Sequence, residues 1–319
     1  IAGENRLEIL DSSELTSVDP ELLAAIAKRV HVYSRVSPAH KLRIVQAIQA
    51  AGRTVAMTGD GINDGPALKA ADLGIAMGET GTDVAREVAD VVLEKDNLET
   101  LVVAVKDGRA TYENIRKSVR FFLGTNMTEI MVMAAAMTLG IGFPLNVMQL
   151  LWINIISDIF PGLALSVEEP EPDILERAPR DSQAPLFARE DFKHMTVDAM
   201  LMSAGSLGAY AFGLSRYGPG AQAASLAFQS LTVGQLLNAY SCRSQSHTLF
   251  ERGQLPPNPY LNAAIVGSLA LQGLTIWFPP IRRLLGVAPL GLADLGLIGG
   301  ASFLSLAAIE KAKTRRGPT

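Results

Sequence analysis

One string in the first hundred residues gathers hard oxygen ligands, glycines and an amide: Thr58-Gly59-Asp60-Gly61-Ile62-Asn63-Asp64-Gly65-Pro66. Asp60 and Asp64 suit Mg2+ with a phosphate oxygen as co-ligand. Asn63 can donate to a phosphoryl oxygen without adding negative charge. Gly59 and Gly61 allow backbone angles that other residues resist, so the loop can close on a small anion or metal. Upstream, Ser37-Pro38 reads as the N-cap and first residue of a helix that carries Lys41 toward the same place. An ammonium there would stabilise charge on a phosphoryl group in transfer.

A second set of candidate ligands lies in the apolar part of the chain. Asn126 and Glu129, in GTNMTEIMVM, are three apart and share a helix face. Asn154 and Asp158, in LLWINIISDIFPG, are four apart, with Ser157 adjacent. Two carboxylates, two amides and a hydroxyl form an oxygen-rich cluster fit for a hard cation. Ionisable side chains inside apolar spans are costly, which makes each a functional candidate. Pro161 and Gly162 follow at once and favour a helix break whose freed carbonyls could complete the coordination.

Two kinds of element must hold these residues. From Arg53 to Glu94, short apolar runs (Arg53–Asp60, Leu73–Met77, Ala89–Glu94) alternate with helical spacing (Asp64–Ala71, Thr82–Val88). That alternation predicts an α/β, doubly wound parallel sheet, with ligands at the carboxyl ends of its strands. Beyond Phe121 six runs have the length of a membrane span: about Phe121–Ile141, Val147–Val167, Met195–Leu214, Ala223–Ser241, Leu261–Phe278 and Leu292–Ile309. The expected organisation is a soluble domain over 1–97, a stalk helix over 98–120 and an all-α six-helix transmembrane bundle over 121–319. Between Leu98 and Gly140 one continuous helix of roughly 60 Å would leave the soluble domain and cross the bilayer.

Composition agrees with a membrane protein. Of 319 residues 48% are hydrophobic and 19% charged, and mean hydropathy is +0.22. A single cysteine, Cys242, excludes a disulfide framework and a multi-cysteine zinc site. A net charge of −4 gives no electrostatic reason to expect nucleic acid. Lys106, Arg109, Arg116, Lys117, Arg120, Arg177, Arg180, Arg189, Lys193, Arg243, Arg252, Lys311, Lys313, Arg315 and Arg316 collect on one side, against Arg216, Arg282 and Arg283 on the other. The excess of positive charge inside places the soluble domain and both chain ends in the cytoplasm.

TGDGINDGPALKAADLGIAMG, preceded by YSRVSPAHKLRIVQAI, resembles the hinge region of P-type cation-transporting ATPases, whose phosphorylation domain is of the haloacid-dehalogenase type. The resemblance covers nearly the entire chain. It implies that Asp60 holds a catalytic Mg2+, that Asn63 and Asp64 support the phosphorylated site, and that Lys41 touches the phosphoryl group. Thr58, Gly59, Asp60 and Arg35 would face the cofactors, Mg2+ and ATP. PLNVMQLLWINIISD and EEPEPDILERAPRD look like the type II calcium pumps, and Asn126, Glu129, Asn154, Ser157 and Asp158 stand where those pumps have ion ligands. Gln235, in VGQLLNAYS, stands where two-site calcium pumps carry a glutamate, which implies one divalent ion per cycle or a changed ion preference.

The family's DKTGT-type phosphorylation motif, its TGES motif, its nucleotide-binding domain and its first four membrane helices have no counterpart in these 319 residues. The expected function is therefore the C-terminal portion of an ATP-driven pump, exporting Ca2+ through an aspartyl-phosphate formed upstream. The N-terminal portion of that pump, the bilayer and the transported cation would be its partners. Na+, H+/K+ or Mn2+ as cargo, a membrane phosphatase of the same fold, and a non-enzymatic pump-derived subunit stay open as alternatives. His31, His40, His194 and His247 lack metal-ligand spacing. Gly296 and Gly300 suggest a close helix approach, and Asp294 an interfacial position.

Overall fold

The computed structural model describes residues 8–12, 15, 18–97, 99–180, 184–245, 247–249 and 255–314. Arg252, Arg315 and Arg316, counted above for orientation, lie outside the described residues. The chain divides into two compact units, Ile1–Ala104 and Val105–Thr319.

The first unit is α/β with every strand pair parallel. Strand β1 (Glu8–Asp11) pairs with β2 (Val30–Ser34), and β3 (Ala56–Gly59), β4 (Leu73–Met77) and β5 (Val91–Leu93) form a second sheet in sequence order. Parallel neighbours require crossovers, which α1 (Pro20–Ala27), α3 (Gly65–Ala70) and α4 (Asp83–Val88) provide, while α2 (Pro38–Ala50) leads from the first sheet to the second. The alternation seen from Arg53 to Glu94 is thus present with its expected elements, and β1 and β2 extend it upstream. Ser37 caps α2 by accepting the His40 N–H at 3.3 Å, and Thr82 caps α4 through the Ala85 N–H. Leu23, Ile44 and Ala47 pack between α1 and α2, and Leu68, Ala76 and Ala85 close the second sheet.

The second unit is helical. Helix α5 (Glu99–Thr138) spans both apolar and charged sequence, and 40 residues at 1.5 Å make it about 60 Å long. It is followed by α6 (Val147–Trp152), α7 (Ile159–Ser166), α8 (Arg189–Tyr217), α9 (Ala221–Ser241), α10 (Pro259–Trp277), α11 (Pro279–Leu285) and α12 (Leu292–Thr314). Among the described residues five helical segments are long and apolar enough to cross a membrane: Glu99–Thr138, Val147–Ser166, Arg189–Tyr217, Pro259–Trp277 and Leu292–Thr314. The expected sixth, Ala223–Ser241, forms helix α9 but is not apolar enough. It is buried on nearly every face, against α8, α10 and α12, and a helix enclosed by protein can carry polar groups that lipid would not accept. Gln229 donates to Thr275 Oγ1 at 2.7 Å and accepts from Gln272 at 3.0 Å, and Gln272 accepts from Trp152 Nε1 at 2.9 Å.

Small residues set close approaches, among them Gly213 on α8 against Ala223 of α9, but not where the GxxxG suggested. A Cβ on Gly296 or Gly300 would meet nothing within 4 Å. On Gly205 it would come 2.4 Å from Ser305 Oγ, and on Gly162 2.1 Å from the Phe122 ring. Asp294 lies in the first turn of α12, at the edge of its span. It is 2% exposed, accepts the Gly291 N–H at 2.9 Å and is held by the Tyr217 hydroxyl at 3.0 Å, so it closes the open N-terminal turn of α12.

Charge is buried at one end of the bundle, always with partners. Glu310 accepts from Ser241 Oγ at 2.5 Å, from the Leu249 N–H at 2.7 Å and from Lys313 Nζ at 2.9 Å. Glu310→Leu would leave the Lys313 ammonium buried without its carboxylate, at a cost of about 3–5 kcal/mol. The expected readout is a lowered melting midpoint in detergent, with the exposed neighbour Lys311→Ala unchanged.

Glu171, 4% exposed in the segment after α7, pairs with Lys117 at 3.1 Å and Arg177 at 2.7 Å. Burial pushes its carboxyl up, but the two cations more than offset this and hold it below its ordinary 4.5. A depressed carboxyl contributes stability that is complete above the unfolded value and lost as pH falls through the lower folded value. The stability difference between wild type and Glu171→Gln is therefore expected to stay constant above about pH 5 and to shrink in acid, measured as unfolding midpoints across pH.

Candidate functional site

In the first unit β3 ends at Gly59, and the chain turns through Asp60 and Gly61 into a single tight helical turn, Ile62–Asp64. The glycines are needed for a different reason from the one expected. Neither adopts a positive φ: Gly61 lies at −114°, and the positive-φ glycines among the described residues are elsewhere. What Gly59 supplies is space, since a Cβ there would sit 2.6 Å from the Asp64 Cβ. Gly61 has open surroundings.

This packing aims Asp64 at α2, where Lys41 Nζ meets its Oδ1 at 2.5 Å. Asp64 is 6% exposed, so the pair is an organised part of the loop rather than a solvated surface contact. Thr58, Asp60 and Asn63 are exposed at the same strand end, and the Asp60 carbonyl is tied down by the Thr82 N–H at 2.8 Å. Arg35 is exposed just after β2 with φ +53°, an uncommon angle for a residue with a Cβ. Its carbonyl accepts from Ser12 Oγ at 2.5 Å.

The second unit brings together most, but not all, of the remaining candidates. On α5 the buried face runs through Thr125, Thr128, Glu129, Val132 and Ala136. Asn126 lies off that stripe, exposed, and its side-chain amide donates to its own helix at the Phe122 carbonyl, 2.8 Å. The i,i+3 argument that placed Asn126 beside Glu129 does not hold here, because the stripe takes the i−4 and i−1 neighbours of Glu129 instead. Glu129 is the hub. Its Oε2 accepts from Asn154 at 3.0 Å and its Oε1 from Gln235 at 3.4 Å, and Gln235 also donates to the Thr125 carbonyl at 3.2 Å. Thr125 was not legible as a participant, since its contribution is a backbone oxygen.

Asp158 is 1% exposed, close enough to Glu129 to feel its charge. Neither Asp158 oxygen makes a hydrogen bond of normal geometry among the described residues, because the neighbouring Thr125 hydroxyl donates instead to the Phe122 carbonyl at 3.1 Å. Ser157 Oγ and Gln235 Oε1 are likewise buried and unpartnered. Four orphan oxygens beside a second carboxylate are an unusual concentration in a protein interior. The helix break expected at Pro161–Gly162 falls earlier. Residues Ile153–Ser157 form a wide turn in which the Asp158 N–H reaches back to the Ile153 carbonyl, 3.0 Å. Helix α7 then runs through Pro161, which sits in its first turn, where a missing N–H is tolerated. That missing N–H leaves the Ser157 carbonyl without its i+4 donor. Gly162 lets α7 close on Phe122 of α5, and Ser118 Oγ donates to its carbonyl at 2.9 Å.

A family model described as the C-terminus of cation-transporting ATPases matches residues 142–314, more than half of the chain. The chain belongs to the P-type cation-transporting ATPases. A model for haloacid dehalogenase-like hydrolases matches residues 9–72 and takes in β2, α2 and the Asp60–Asp64 loop. Among its relatives, a calcium-transporting ATPase of Bacillus subtilis (strain 168) is 39% identical over 93% of this chain and 33% of its own length. Calcium-transporting ATPase 1 of Bacillus cereus is 36% identical over 97% and 36%. The calcium-transporting ATPase type 2C member 1 of Homo sapiens is 35% identical over 96% and 34%. The chain spans about a third of the length of the curated relatives it matches.

Proposed function

We propose that this chain is the C-terminal portion of an ATP-driven pump that moves Ca2+ across a membrane, the aspartyl-phosphate forming on a residue outside these 319. One observation carries the reading: Asp158, Ser157 and Gln235 leave oxygens buried and unpartnered beside Glu129. A hard divalent cation would satisfy those oxygens and offset both carboxylate charges at once. Asn154 and the carbonyls of Thr125 and Ser157 would complete the shell, and Asn126 would enter it only by leaving the Phe122 carbonyl. The calcium-transporting relatives support Ca2+ as cargo over Na+, H+/K+ or Mn2+.

In this reading α9 is the sixth span. It needs no lipid-facing surface, which is why its composition is polar. The lysines and arginines gathered at one set of loops support cytoplasmic placement of the soluble unit and both ends. In the first unit the exposed carboxylate of Asp60, with Asn63 beside it, fits a Mg2+ ligand set, and the bound ion would supply charge neutralisation for a phosphoryl group. Lys41 and Asp64 would hold the loop and present one ammonium to that group, and Thr58, Gly59 and Arg35 would line its approach.

Gln235 decides the stoichiometry. A neutral amide offsets less cation charge than a glutamate, so one ion per pump is expected. Equilibrium binding of radiolabelled Ca2+ to the purified full-length pump tests this, and saturation at two ions would refute it. Gln235→Glu is expected to raise either the capacity or the affinity, by about tenfold in the latter case.

A further inference from the structure

The charges of the second unit are not all accounted for by the cation site. Between α5 and the segment following α7 lies a cavity of about 530 Å3, beside a smaller one of about 280 Å3 that shares Glu113, Arg177 and Arg180 as lining. The larger is lined by five basic side chains, Arg116, Lys117, Arg120, Arg177 and Arg180. Its three carboxylates, Glu113, Glu171 and Asp173, each lie within ion-pair distance of a cation, Glu113 at 3.5 Å from Arg116. Glu171 holds Lys117 and Arg177, and Asp173 holds Arg177 at 3.0 Å. Arg120 is paired outside the lining with Asp198 at 3.0 Å. Glu171, Asp173 and His247 could geometrically hold a metal, but the two cations seated on Glu171 oppose it.

What remains over is a set of donors. Arg116 Nη2 donates to both Asp191 oxygens at 3.3 Å and its Nη1 lies 3.5 Å from Glu113, while its Nε is buried with no acceptor. The Tyr112 hydroxyl, one helical turn earlier on α5, is also buried and unpartnered. Arg180 stacks on the Tyr112 ring at 4.3 Å and donates to the Ala184 carbonyl, with no carboxylate partner among the described residues. Arg116 lines the large cavity, Tyr112 the small one and Arg180 both. The apolar run of α5 begins at Phe121, just past Arg120, so the cavity sits where a membrane-crossing segment meets polar sequence. Basic pockets of this kind beside membrane helices suit phosphate-bearing headgroups.

We propose that these two adjoining cavities, which share Arg180, together bind one phosphate group, with Arg116, Tyr112 and Arg180 as its donors. The source is either the headgroup of an anionic phospholipid or free phosphate. The test uses the full-length protein in phosphatidylcholine nanodiscs, with and without a minor fraction of phosphatidic acid. Saturable, one-to-one retention of phosphatidic acid is expected by native mass spectrometry. The Arg116→Gln/Arg180→Gln double variant should weaken it about tenfold, Arg180→Lys should restore part of it, and Lys193→Gln should leave it unchanged. Tyr112→Phe, which deletes only an unpartnered hydroxyl, should weaken binding without lowering the melting midpoint.

In lipid-neutral nanodiscs, calorimetric titration with inorganic phosphate separates the sources. Phosphate that binds and displaces phosphatidic acid assigns the site to free phosphate, and lipid binding alone assigns it to the headgroup. Equal affinity in the double variant and the wild type, or no saturable binding of either probe, overturns the proposal. None of these readouts involves Ca2+ or ATP, so failure here leaves the pump reading standing, and failure of that reading leaves this one testable.

Discussion

Asp158→Asn is expected to abolish Ca2+-dependent phosphoenzyme formation while making the ion-free protein more stable. The two effects have one cause. Asp158 is buried with both oxygens unpartnered, so without a cation its charge is a liability, and an amide of the same shape removes that charge. With a cation the same charge is half of the site's carboxylate complement. Truncating one partner of a buried charge pair costs about 2–5 kcal/mol, or between roughly thirtyfold and several thousandfold in apparent affinity.

The measurement is phosphoenzyme formation from labelled ATP across a Ca2+ series in membranes carrying the full-length pump, together with melting midpoints with and without Ca2+. Wild type should gain stability with Ca2+ by mass action, and the variant should not. A variant that loses stability without the ion and keeps its Ca2+ response would make Asp158 a packing residue. A phosphoenzyme that responds to another cation alone would keep the pump and replace the cargo.

Gly59→Ala is expected to reduce phosphoenzyme formation about a hundredfold while leaving equilibrium Ca2+ binding intact. The added Cβ would fall 2.6 Å from the Asp64 Cβ, so Asp64 or β3 must shift by a large fraction of an ångström. Either shift breaks the 2.5 Å contact to Lys41 and moves the loop that presents Asp60 and Asn63. Displacements of this size in a positioning element have large kinetic consequences. Gly61→Ala is the matched control, because a Cβ there meets only the Asn63 nitrogen at 3.9 Å at an ordinary negative φ. Equal losses in the two variants would mean that the loop needs glycine flexibility rather than space. Loss of Ca2+ binding in Gly59→Ala would show that the variant misfolds.

The local parts of both sites were legible because their causes are local. Ser37 before Pro38 is a cap by its own chemistry, and TGDGIND is a strand end followed by a turn because of residue types within eight positions. Glu129 and Asp158 stand out because a carboxylate in a long apolar run has few structural explanations. Lys41, placed near the same strand ends by its helix start, does come there, and it meets Asp64.

Other features depended on which surfaces meet. Asn126 and Glu129 share a face in the sense of helix periodicity, but a helix that is apolar all round does not announce which stripe will be covered. Packing chose Thr125, Thr128 and Glu129 and turned Asn126 outward. Helix α9 looked like one more span, and only its enclosure by α8, α10 and α12 explains how it tolerates Gln229, Gln235 and Asn238.

Gly59 was read as a dihedral requirement, whereas the need for it is the distance to the Asp64 side chain, a contact no spacing rule reports. The unpartnered oxygens of Asp158 are likewise a tertiary fact, since an orphan exists only once every neighbour has taken its place. Composition and periodicity therefore determined which groups this chain carries and on which kind of element. The three-dimensional packing determined which of them lost water without gaining a partner, and the proposed cation site rests on that imbalance in solvation.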